Sequence, residues 1–116
     1  MSTIWGSLHN YSGSFLSKLF LISTKLLILE ITEEVDHHTT ESIRRVADNE
    51  ITRYMPRKVV LDFNNVSFMD SSGIGMILGR YKIVKMIGGS LEMKNVSKSV
   101  KKIFDMSGIT KICKIA

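Results

Sequence analysis

The sequence is short of most things that build a cross-linked, metal-bound or membrane-spanning protein. It has one cysteine, Cys113, among 116 residues. A single thiol closes no internal disulfide and builds no cysteine-rich zinc site, so a reducing interior is its natural setting. One proline and eight glycines leave little material for irregular linkers. The most apolar stretch, residues 15–31, is interrupted by Lys18, Lys25 and Glu30. No run of about 18 apolar residues exists and no basic cluster precedes the stretch, which argues against a spanning helix or a signal segment. Two strands joined by a short turn fit it better. The sequence also lacks internal repeats, low-complexity tracts and a G-x-x-x-x-G-K-S/T loop, so a P-loop ATPase is not expected.

What is present reads as one soluble domain. Hydrophobic residues make up 44% of the chain and charged residues 23%, ordinary values for a globular protein. A chain of this length buries roughly two-thirds of its unfolded surface, which leaves room for one core. The net charge of +5 is unevenly spread. Residues 1–75 hold 7 Lys/Arg against 9 Asp/Glu, whereas residues 76–116 hold 9 against 2. The C-terminal part is therefore a basic module, either a solvated lysine-rich surface or a field that attracts an acidic protein. No aromatic stacking platform accompanies the lysines, so direct nucleic-acid binding is not expected; neither is a membrane.

Periodicity divides the chain into alternating elements. Residues 1–17, rich in Ser and Gly at their start, are expected to form a poorly ordered arm ahead of a domain over residues 18–116. Leu19–Ile22 and Leu26–Ile31 suit a β-hairpin. A helix is expected after Asp36, whose carboxylate can cap free N–H groups. It carries Ile43, Val46, Ala47, Ile51 and Tyr54 on its core face, with Glu50 as a polar intruder, and ends at Pro56. Lys58–Phe63 reads as a central strand, with a bend at Asn64-Asn65. A second helix, after Ser72, carries Ile74, Ile77, Leu78, Tyr81, Val84 and Ile87 inward and stops at Gly88-Gly89. Leu91–Val96 is the next strand. Ser97 caps a third helix that is expected to point Val100, Ile103, Phe104 and Met106 inward, and Lys111–Ile115 alternates as a last strand. Strands alternating with helices predict an α/β domain with a mainly parallel sheet, and the hairpin adds an antiparallel pair. The loops after the strands then share one edge, where Asp36 and Asp70–Gly73 both land.

Several chemistries fit that edge poorly. Gly73, Gly75 and Gly79 follow a strand and open a helix, as in a dinucleotide-binding turn, yet their spacing is one residue too long and the expected later acid is missing. The plainer role for Gly75 and Gly79 is close packing of the helix on the sheet. Ser71 and Ser72 lack the Gly-x-Ser-x-Gly spacing of a hydrolase nucleophile, and every histidine precedes them, so catalysis is not expected. His37-His38, beside Asp36 and Glu41, offer at most two ligands in one direction; a metal is not expected. Phosphorylation suits the turn better. A serine at a helix start lies where the dipole favours an anion, and a phosphate adds charge of about −1.5 to −2 on an exposed edge. Beside Asp70, it would repel a partner without refolding the domain.

The stretch Val66–Lys82, VSFMDSSGIGMILGRYK, closely resembles the phosphorylation region of STAS-domain anti-sigma factor antagonists, the sporulation branch in particular. EEVDHHTTE at Glu33–Glu41 and VKKIFDMSGITKI at Val100–Ile112 extend the resemblance, which runs from Lys25 to Ile115. Residues 1–17 resemble nothing in that family. The resemblance implies a cytoplasmic, non-enzymatic STAS domain that needs no cofactor. Such a protein binds an anti-sigma factor that is also a serine kinase, and so frees a sigma factor. The kinase phosphorylates the first serine after the motif aspartate, here Ser71, and a phosphatase reverses this. Asp36, Asp70, Ser71, Ser72, Gly73 and Ile74 are the implied partner-facing residues. The rival readings are a small nucleotide-binding protein using the Gly73-Gly75-Gly79 turn and a STAS regulatory module of a transporter.

Overall fold

A computed structural model describes residues 26–116 in full, together with the backbone of two earlier strands, Ile4–Trp5 (β1) and Leu16–Ser23 (β2). The later elements are β3 (Leu26–Ile31), α1 (Thr40–Tyr54), β4 (Lys58–Asp62), α2 (Ser72–Met86), β5 (Ser90–Lys94), α3 (Lys98–Ser107), a 3-10 turn at Ile109–Lys111 and β6 (Lys114–Ile115). The arm expected over residues 1–17 lies mostly outside the described residues. Within it, Ile4 and Trp5 pair antiparallel with Leu21 and Phe20, and β2 already begins at Leu16.

Among the described residues, six strands form one sheet and lie in sequence order. β2 and β3 form the expected antiparallel hairpin, with Leu19 opposite Leu29, and β3 to β6 run parallel. Register explains the layering. Leu27, Val59 and Leu91 stand abreast, as do Leu29, Leu61 and Met93. All six are buried in one cluster with Ile43, Val46, Ala47 and Ile51 of α1, Met76, Ile77 and Val84 of α2, and Val100 and Phe104 of α3. Val60, pointing the other way, is buried but outside that cluster. Crossovers of one hand between neighbouring strands place all three helices on the same face. Phe63 and Phe104 close the cluster edge to face, their rings 5.6 Å apart.

Local signals set the element ends. Ser97 accepts a hydrogen bond from the Val100 N–H at 3.3 Å, as a cap should, and Gly108 ends α3 in the left-handed conformation (φ 77°). Gly88 does the same after α2 (φ 81°). Three details differ from expectation. Met106 does not face inward; it is 81% exposed. The fully buried line of α2 is Gly73, Met76, Ile77, Arg80 and Val84, while Ile74, Leu78, Tyr81 and Ile87 are only partly covered, because α1 flanks the helix and rotates the buried line toward itself. The last strand is two residues long, since Ile112 and Cys113 donate their N–H groups to the Ile109 carbonyl and stay in a tight turn.

Candidate functional site

The loops that follow β3, β4 and β5 meet at one edge of the sheet, and hydrogen bonds tie them together. Val35, in the first loop, and Met69, in the second, form a parallel bridge. The Val35 N–H donates to the Phe68 carbonyl at 3.1 Å, and the Asp70 N–H donates to the Val35 carbonyl at 3.0 Å. Two carboxylates reinforce the joint. Glu34 accepts from the N–H groups of Ser67 at 2.8 Å and Phe68 at 3.0 Å, and from the Ser67 hydroxyl. The Ser67 hydroxyl, helped by these amides, holds the Glu34 carboxyl below its usual range against the opposing effect of burial. The first turn of α3 joins them when the Ser99 hydroxyl donates to the Ser67 carbonyl at 2.9 Å.

Asp70 is the hub of this edge. Its Oδ1 accepts from the Ser72 N–H at 2.8 Å and from the Ser72 hydroxyl, and its Oδ2 accepts from the His37 N–H at 3.3 Å. The Ser72 hydroxyl is the main cause that lowers the Asp70 pKa, with the Ser72 and His37 amides and the His37 ring adding to it against burial. Asp36 is drawn in through the neighbouring His37. Its own carboxylate accepts from the N–H groups of His38 at 2.8 Å and Thr39 at 3.1 Å, capping the turn that leads into α1.

The two serines are thereby sorted. Ser72 is partly buried and its hydroxyl is engaged by Asp70. Ser71 is exposed, stands at the N-cap of α2 and makes no side-chain cap hydrogen bond. The nearest helix-start amides are already used: those of Gly73 and Ile74 donate to the carbonyls of Asp70 at 3.0 Å and Ser71 at 3.1 Å. An anion on Ser71 therefore gains from the helix dipole but points outward, beside the charge of Asp70. Gly73 is pinned behind it, since a Cβ there would run into Met69 Cγ and Sδ and lie 3.0 Å from Val35 Cγ1. Ile74 and Ser71 form one wall of an apolar cleft of about 220 Å³, and Ile103, Met106 and Ser107 of α3 form the other.

Neither glycine further along α2 acts as expected. A Cβ at Gly75 or Gly79 would meet nothing within 4 Å, so close packing on the sheet does not explain them. The imidazole that approaches the turn, His37 Nδ1, lies 3.7 Å from Asp70 Oδ2, which places the carboxylate between serine and histidine rather than the histidine in the middle, as a relay needs. Among the described residues no group of three or more His, Cys, Asp or Glu could hold a metal ion, and no helix is long and apolar enough to cross a membrane. All six residues named from sequence gather at this edge, Asp36 through His37 and Gly73 from beneath. Sequence reasoning missed Glu34, Ser67, Ile103 and Met106. The first two meet across 33 residues, which no local spacing reveals.

The STAS domain family matches residues 20–116. The chain belongs to it. An anti-sigma F factor antagonist of Paenibacillus polymyxa is 42% identical to this STAS domain over 90 residues, covering 78% of this chain and 77% of the relative. Two solved structures agree in fold. The anti-sigma factor antagonist SpoIIAA in its unphosphorylated form superposes with a TM-score of 0.73 at 31% identity, over 84% of this chain and 85% of that one. The Bacillus cell fate determinant SpoIIAA in the phosphorylated form does so with a TM-score of 0.65 at 30% identity, over 84% and 88%.

Proposed function

We propose that this STAS domain is an anti-sigma factor antagonist switched off by phosphorylation of Ser71. Unphosphorylated, it docks through the edge around Asp36, Asp70, Ser71, Ser72, Gly73 and Ile74 on an anti-sigma factor that is also a serine kinase, and the sigma factor is released. The kinase supplies ATP and catalysis: the Ser71 oxygen bonds to the γ-phosphorus, ADP departs, and the hydroxyl proton passes to a base of the kinase. A phosphatase restores the hydroxyl. The domain is a substrate in this cycle, not an enzyme. The cycle belongs in the cytoplasm, where sigma factors work, and the relatives named for sigma F favour a sporulation setting.

The observation that supports this reading is the contrast between the serines: Ser71 is exposed at the loop edge, while the Ser72 hydroxyl is held by Asp70. Calorimetry against the anti-sigma F factor of P. polymyxa, followed by mass spectrometry after adding ATP, tests it. Ser71→Ala should bind like wild type and take up no phosphate. Ser71→Asp should bind at least about tenfold more weakly, because a like charge is added beside Asp70 at the contact. Phosphate found on Ser72 of the folded wild-type protein would contradict the assignment.

A further inference from the structure

We propose that the cleft between the first turn of α2 and the last turn of α3 is an anchor pocket for one apolar side chain of the anti-sigma factor, and that phosphorylation releases the partner by charging the wall of this pocket. The inference rests on the function proposed above and adds where the binding energy sits. At about 220 Å³ the cleft is below the roughly 300–1,000 Å³ typical of small-molecule sites. Its size suits a single aliphatic or aromatic side chain, the usual anchor at the centre of a protein interface.

Its lining points the same way. Ile74, Ile103 and Met106 supply apolar walls, and Met106 is 81% exposed although nothing in the domain needs it there. Ser71 stands on the rim, so one group controls the pocket. With a hydroxyl, the rim can be desolvated by a docked side chain. With a dianion it stays hydrated, because removing a phosphate from water without a partner charge is far costlier than one apolar anchor returns. Charge defines the surroundings of the anchor. Lys98 and Lys102 are exposed on α3, where Lys101 is already paired with Asp105 at 3.3 Å, whereas Asp70 adjoins Ser71 on the α2 side. The fitting partner surface carries an apolar side chain with carboxylates toward α3 and a cation toward Asp70.

The 116-residue chain tests this against the P. polymyxa anti-sigma F factor by calorimetry. Met106→Gln keeps the length of the side chain but makes it polar, and its exposure leaves folding unaffected. It should weaken binding at least about tenfold, and in the kinase reaction it should raise KM while leaving kcat unchanged. Met86→Gln, a change at the far end of α2 where Met86 is 84% exposed, should bind like wild type. If Met106→Gln bound as wild type does while Ser71→Asp lost binding, the anchor pocket would be wrong and the proposed function would stand. If unmodified wild type failed to bind, the functional reading would fall and the pocket with it.

Discussion

At the scale of single residues, the edge is held together by contacts within the domain. Gly73 faces the side chains that join the first two loops, and Val35 and Met69 are buried at 0% and 3% exposure, with little room to swing aside. Gly73→Ala should therefore cost about 1–3 kcal/mol in urea unfolding, as overpacking does; an unchanged midpoint would mean that Met69 repacks freely. Glu34 makes a second prediction, one of pH. Its folded pKa lies below the ordinary value of 4.5, so the unfolded chain binds the proton more readily. The stability it contributes is complete above about pH 4.5 and is lost as pH falls through the folded value. Glu34→Gln keeps the shape but not the charge. Its unfolding free energy should be lower than wild type at pH 7, by a gap that closes on acidification, and solvent screening should keep the gap below about 1 kcal/mol. A gap that stays constant down to acid pH would assign the Glu34 contacts no charge dependence.

At the scale of elements, the informative contact is the one between α1 and α2. Arg80 is only 4% exposed, and its Nε lies 2.6 Å from Asp48 Oδ1, while an Nη donates to the Met76 carbonyl at 3.2 Å. Burial pushes the Asp48 pKa up and the Arg80 pKa down, each opposed by the attraction between them. Desolvation is the larger effect at both groups, which is the condition under which a buried pair adds little net stability. Removing one partner is then asymmetric. Asp48→Ala strands a buried cation and should cost about 2–4 kcal/mol. Arg80→Met leaves a carboxylate that is 31% exposed and still attracted by Arg44, so it should cost less than Asp48→Ala does. Equal losses in thermal unfolding would show a net-stabilising pair. This pair also marks where the sequence stops being legible. The capping of α3 by Ser97, the stops at Pro56 and Gly88, and the hairpin before Asp36 all rest on neighbours in the chain. The inward turn of Arg80 does not, because Leu78 and Tyr81 satisfy the same apolar spacing and only Asp48 on another helix decides between them. The alternating residues Lys111–Ile115 misled for a related reason: the turn opened by Gly108 outcompetes strand pairing until Lys114. In the site, the Asp70–Gly73 turn could be read from motif and spacing. The far wall of the cleft could not, as it needs α3 placed beside α2.

For the molecule as a whole, the question is whether charging Ser71 disturbs the fold or only the edge. The core lies beneath the helices and includes no part of the Ser71 side chain, which is exposed. The loops around it are fixed by Val35, Met69, Glu34 and Asp70, none of which needs the Ser71 hydroxyl as a partner. Two electrostatic effects then oppose each other. The dipole of the 15-residue helix α2 favours a negative charge at its start by about 0.3–1 kcal/mol. The neighbouring Asp70 carboxylate, which already occupies the Ser72 amide, disfavours it by a similar amount in water. Both the unphosphorylated and the phosphorylated SpoIIAA structures have the fold of this chain. Ser71→Asp should accordingly unfold within about 1 kcal/mol of wild type, and its circular dichroism should be unchanged, while its affinity for the anti-sigma factor falls. A variant that lost binding together with more than about 2 kcal/mol of stability would place the switch in folding rather than in docking, because the folded population itself would then limit association.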